Sequence, residues 1–101
     1  MILARVAGTV VSTAKAEQLE GLKLLLLEKI ELSEMRGTYD FVVALDAVGA
    51  NEGELVFYVT GSSARMTEAS KAKPTDATIV AIVDAIEKDR TLIYNKSQPE
   101  E

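Results

Sequence analysis

Residues 46–65, "DAVGANEGELVFYVTGSSAR", hold three glycines, three carboxylates and a Ser-Ser-Ala-Arg run. Two kinds of chemistry could be built from them. In "TGSSAR", Gly61 could turn the chain into a helix whose first N–H groups, with Ser62, Ser63 and the Arg65 guanidinium, hold an anion. Asp46, Glu52 and Glu54 could form an acid–base pair or an oxygen site for Mg²⁺ or Ca²⁺. Plainer roles compete with both. Gly61 then makes a strand-to-helix turn, a serine caps the helix, and Arg65 pairs with a carboxylate. Gly49 and Gly53 take positive φ in a β-turn, and the carboxylates accept backbone bonds.

Residue types decide between them. The chain has no histidine and no cysteine. A serine nucleophile would therefore lack its usual base, and a zinc or copper site would lack its usual donors. No Walker-type lysine follows the glycines, and the acidic spacing is not that of an EF-hand loop. The plainer reading is favoured: no catalytic residue, no metal and no cofactor. Asp84 stands apart, because it lies within the apolar run "IVAIVDAI" and would need a partner such as Arg5 or Arg65 if buried there.

The elements that would position these residues are short. Apolar runs fall at residues 2–12, 22–32, 41–48, 55–60 and 79–86, with a brief sixth at 92–94. In the first, Ile2, Ala4, Val6 and Val10 share a strand face, and Gly8 marks a bend or bulge. The sixth follows a polar "EKDR" turn and is expected to pair back as a hairpin. Ser62 or Ser63 could cap one short helix that Ala64, Met66, Glu68 and Ala69 tolerate, with Pro74 marking its end or a later turn. Several runs are apolar on both faces, yet the chain lacks the crossover helices of a buried parallel sheet. The expected fold is a small, mainly antiparallel five-stranded barrel with one short helix. The surplus apolar surface calls for another copy of the chain, with Leu25, Leu27, Val56 and Tyr58 as candidates for that contact. Residues 1–96 form the domain, and the polar residues 97–101 are expected to be a disordered tail.

The chain has 101 residues and a formal net charge of −5. That length suits one domain. Lys and Arg are scattered, so binding to nucleic acid is disfavoured. The N-terminal segment is too short and interrupted for a signal peptide or membrane span, and a soluble cytoplasmic protein without membrane partners is expected. The alternative is a barrel that binds single-stranded nucleic acid or a small anionic ligand. Nucleic-acid binding would need a basic groove with stacking aromatics.

The combination "DAVGANEGE", "GSSAR", "P-x-D" and "IVAIVD", with "VAGTVVSTAK", "LEGLKLLLLE" and "TLIYNK", resembles the EutN/CcmL family of bacterial microcompartment vertex proteins from residue 1 to about 96. The resemblance implies a barrel related to the OB-fold, assembled as a homopentamer that caps the fivefold corners of a protein shell. It implies no enzymatic activity, and hexameric and trimeric shell proteins as partners. It places Asp46, Gly49, Gly53 and Glu54 in the strand-to-strand turn, and Gly61, Ser62, Ser63 and Arg65 at the next turn. Arg65 is then expected to pair with Asp46 or Asp84 at a subunit boundary. Asn51 stands where the family usually has glycine; asparagine tolerates the left-handed region best of the other residues. "GSSAR" is similar to members from metabolosomes and "TLIYNK" to carboxysomal ones; the metabolosome is the preferred reading.

Overall fold

The computed structural model describes residues 1–11, 23–61 and 77–97. Seven strands run β1 (Ile2–Val10), β2 (Leu24–Glu31), β3 (Arg36–Asp46), β4 (Leu55–Thr60), β5 (Ala77–Ile82), β6 (Ala85–Lys88) and β7 (Thr91–Asn95). The first five close a barrel in the order β1-β2-β3-β5-β4, and β6 and β7 form a separate two-stranded sheet. All barrel pairings are antiparallel except β3 with β5, a parallel seam limited to Leu45↔Thr78 and Asp46↔Ile79. The expected five-stranded, mainly antiparallel barrel is therefore present. The expected helix falls at residues outside the described ones.

Side-chain alternation explains the closure. Ala4 and Val6, Leu25 and Leu27, Ala44, Val56 and Tyr58, and Ala77 and Ile79 all point into one buried cluster, which Ala50 joins from the turn after β3. Several of these are alanines, because the interior of so small a barrel has little room. β1 shifts register between Val6 and Gly8, a bulge at the glycine singled out above.

Here one expectation is corrected. Leu25, Leu27, Val56 and Tyr58 do not form an outer contact face; each is at most 3% exposed inside its own barrel. A strand apolar on both faces cannot reveal which face is inner. Register decides it: Leu25 pairs with Ala44 and Leu27 with Val42, whereas Leu26 opposes Val43 on the other face.

The second correction concerns residues 79–86. They are not one strand: β5 ends at Ile82, β6 begins at Ala85, and Val83 and Asp84 make the step between. The Val83 N–H donates to the Leu55 carbonyl at 2.9 Å, and the Val83 side chain is buried with Leu3 and Leu55 in a second cluster. Ile86 and Tyr94 pack on that cluster from the β6–β7 hairpin. The hairpin turn is Asp89–Arg90, with φ of 52° and 65°, between the paired residues Lys88 and Thr91. Two consecutive left-handed residues match the twist of a two-residue hairpin.

Candidate functional site: the turn between β3 and β4

β3 ends at Asp46 and β4 begins at Leu55, so the residues between form one turn across the end of the barrel. Asp46 organises its first half. One carboxylate oxygen, Oδ1, accepts the Val48 and Gly49 N–H groups at 3.0 and 2.9 Å, and Oδ2 accepts the Ala50 N–H at 3.1 Å. Lys23 Nζ lies 3.3 Å from Oδ2 and donates to the Ala50 carbonyl at 3.3 Å. The Asp46 side chain is only 1% exposed. Burial alone would raise its pKa, but the Val48, Ala50 and Gly49 N–H donors and Lys23 outweigh it and hold the carboxyl below the usual range.

Glu54 organises the second half. The Asn51 N–H donates to its Oε1 at 2.6 Å, and Lys96 Nζ pairs with its Oε2 at 3.0 Å. The Asn51 N–H, with Lys96 next, holds the Glu54 carboxyl below the usual range. The turn is also stitched to β1: Gly53 N–H donates to the Val6 carbonyl at 2.8 Å, Val6 N–H to the Glu54 carbonyl at 2.9 Å, and Arg5 Nη1 to the Gly53 carbonyl at 2.8 Å. Gly49 and Gly53 have φ of 79° and 90°, where a side chain would be strained. Asn51 is not among the positive-φ residues. The turn tolerates a non-glycine there because the Glu54 carboxylate, not a left-handed backbone, holds Asn51.

These bonds define what the turn can do. A general acid near neutral pH needs a raised pKa, and both carboxylates are held ionised. Their oxygens point at N–H groups and lysines of the same chain. Among the described residues no group of acidic side chains gathers as a cation site would require. The arrangement is a rigid connection that locks the end of β3 to β1, to β4 and to the C-terminal hairpin.

The other predicted residues are dispersed. Gly61 follows β4 with φ of 63°; Ser62, Ser63 and Arg65 lie outside the described residues. Asp84 is neither in a strand nor buried. It is exposed at the β5–β6 step, beside a shallow recess of about 390 Å³ that Asn95, Lys96 and Ser97 also line. The break of strand at Val83 frees it from needing an internal partner. The two lysines went unread. Lys23 follows from register, since Leu24↔Leu45 extended by one residue puts Lys23 opposite Asp46. Lys96 lies within "TLIYNK", but only the folded hairpin brings it to Glu54.

Comparison with known proteins places the whole arrangement. Residues 1–84 match the family described as "Ethanolamine utilisation protein EutN/carboxysome". A carboxysome shell vertex protein, CcmL, of Thermosynechococcus vestitus is 43% identical over 97 residues, covering 95% of this chain and 96% of that one. The structure of Gloeobacter violaceus CcmL superposes with a TM-score of 0.90 at 37% identity, over 97% of this chain and all of that one. The GrpN pentameric microcompartment shell protein of Rhodospirillum rubrum superposes with a TM-score of 0.76 at 41% identity, over 87% of this chain and 99% of that one.

Proposed function

This chain belongs to the EutN/CcmL family, and on that premise we propose that five copies assemble into a ring that caps the fivefold vertices of a bacterial microcompartment in the cytoplasm. The observation that carries the reading is the likeness, nearly end to end, to shell vertex proteins, one of them described as pentameric. Physical features support it. Hexagonal tiles alone make a flat sheet, and curvature needs pentagonal units. Such a unit needs a rigid subunit and a heterologous contact whose rotation closes after five copies. The turn between β3 and β4 supplies rigidity through ionised carboxylates rather than chemistry. Exposed apolar side chains on the strands supply surface for contact. The partners in this reading are hexameric and trimeric shell proteins along the ring's rim, and the role is structural, not enzymatic.

For the compartment we keep the metabolosome reading, carried by "GSSAR" at residues 61–65. Overall identity leans the other way, with the carboxysomal relative at 43% over 95% of this chain, GrpN at 41% over 86% and EutN at 37–38%. Genes for a carbon-fixing carboxylase beside this one would overturn that choice. The capping role is tested by deleting the gene in its host. Elongated or unsealed compartments with the enclosed enzymes still made are expected. Normal closure without a second vertex protein would refute it.

A further inference from the structure

The barrel's outside is unevenly covered. On the side of β1 and β4, the outward residues Leu3, Leu55 and Phe57 lie under the inward face of the β6–β7 hairpin, through Ile86 and Tyr94. On the side of β2 and β3, no element among the described residues covers the strands in the same way. Leu26 is half-buried, and Phe41 and Val43 are each 47% exposed. They share one face, because Leu26 opposes Val43 and Glu28 opposes Phe41. Gly8 opposes Leu26 from the other side, and a Cβ built there would meet nothing within 4 Å. The result is an apolar stripe with a notch beside Leu26.

The hairpin has a second face of its own. A register shift between Ile86 and Glu87 sets Leu92 opposite Glu87 and off the face that Ile86 and Tyr94 turn to the barrel, and Leu92 is 49% exposed. The hairpin pairs with no barrel strand, and a lone two-stranded hairpin gains stability only by packing.

We propose that Leu92, on the outward face of one copy's hairpin, docks on the Leu26–Phe41–Val43 stripe of the next copy. The inference rests on the ring reading above. Two observations favour a second copy as the occupant. A relative of closely similar fold is pentameric. The two patches are different surfaces of one chain, which is the head-to-tail arrangement that an odd-numbered ring requires.

The cysteine-free chain makes a clean test. Phe41→Cys and Leu92→Cys are combined in one variant and made separately, then treated with a short bismaleimide. Native mass spectrometry is run on the unmodified chain and on every variant. The double variant is expected to give a covalent ladder reaching five chains on a denaturing gel, and the single variants no ladder. An intact pentamer without a ladder would overturn this contact and leave the ring reading standing. An unmodified chain that is only monomeric would overturn both. Crosslinked dimers from Leu92→Cys alone would mean a twofold contact and also overturn it. Leu92→Asp provides a second readout: it is expected to raise the ring's dissociation constant at least tenfold, with the circular dichroism of the folded chain unchanged. Equal affinity would sink the proposal, since Leu92 would then lie outside the contact.

Discussion

Replacing Asp46 by alanine isolates what the carboxylate does for the turn. Three N–H groups lose their acceptor and Lys23 loses its ion-pair partner. Val48 and Gly49 are exposed, so water can replace the carboxylate at their N–H groups. Ala50 is 1% exposed, so its N–H is left without a ready substitute. An orphaned buried donor costs about 1–3 kcal/mol, and charge-assisted bonds about 1.5–3 kcal/mol each before water compensates. Together these give about 3–4 kcal/mol for Asp46→Ala. Asp46→Asn keeps one acceptor and is expected to cost about 1–2 kcal/mol on the same scale. A domain of this size has about 5–15 kcal/mol in all. With a urea slope of about 1–2 kcal/mol/M, Asp46→Ala shifts the midpoint by roughly 2 M. The assay is urea unfolding followed by far-ultraviolet circular dichroism at a fixed chain concentration, because assembly contributes to apparent stability. The pH dependence carries a sign. The folded carboxyl has a lower pKa than the unfolded one near 3.9. Unfolding therefore takes up a proton in that range, and the Asp46 contribution, complete above about pH 5, fades as pH falls through the folded value. The gap between parent and Asp46→Ala is expected to narrow as the pH falls below the unfolded value. A variant within about 1 kcal/mol of the parent at pH 7, against the cost expected from an orphaned donor, would refute the reasoning. So would a gap that stays constant on acidification.

Leu25→Glu is expected to unfold the chain rather than merely dissociate it, because a carboxylate inside the barrel costs several kcal/mol; a folded monomer by circular dichroism and light scattering would contradict this. Gly49→Ala is expected to cost about 1–2 kcal/mol through its positive φ alone, since the added Cβ would meet nothing within 4 Å. Gly8→Ala, with equal space and no positive φ, is expected to change monomer stability by less than about 0.5 kcal/mol in the same urea experiment. Lys96→Ala is expected to lower stability only slightly, given an ion pair open to solvent on the lysine side, and the loss is expected to shrink in 1 M salt; a large, salt-insensitive loss would show that Lys96 does more than pair with Glu54.

The barrel was readable because short apolar runs, turn residues and the lack of crossover helices leave few alternatives for 101 residues. The hairpin at Lys88–Thr91 was readable from its polar turn, even though Asp89 and Arg90 rather than glycine take the left-handed positions. Which face of each strand lies inside was not readable. "LLLL" at residues 24–27 is apolar on both sides, and only pairing with β3 sorts Leu25 and Leu27 from Leu24 and Leu26. Asp84 misled for a related reason. A continuous apolar run hides a break made by tertiary bonds, here the Val83 N–H to Leu55. In the turn after β3, the residue types were plain, but both lysine partners arrive from distant parts of the chain, Lys23 from before β2 and Lys96 from after β7.

The parallel seam between β3 and β5 spans only two residue pairs, and one of them is Asp46↔Ile79. Asp46 is thus both the last clasp of the barrel and the cap of the turn beyond it. Its partner strand is more than thirty residues away, so this pairing, like that of β1 with β4, closes a long loop and is expected to form after the β1–β2 and β2–β3 pairs. It is also the seam with the fewest bonds to break. When it parts, the backbone of Asp46 loses the strand that fixes it, and the carboxylate's aim at the amide protons of Val48, Gly49 and Ala50 loosens with it. In hydrogen exchange, those three amides are expected to report the opening of the whole barrel, although two of them belong to exposed residues of a surface turn.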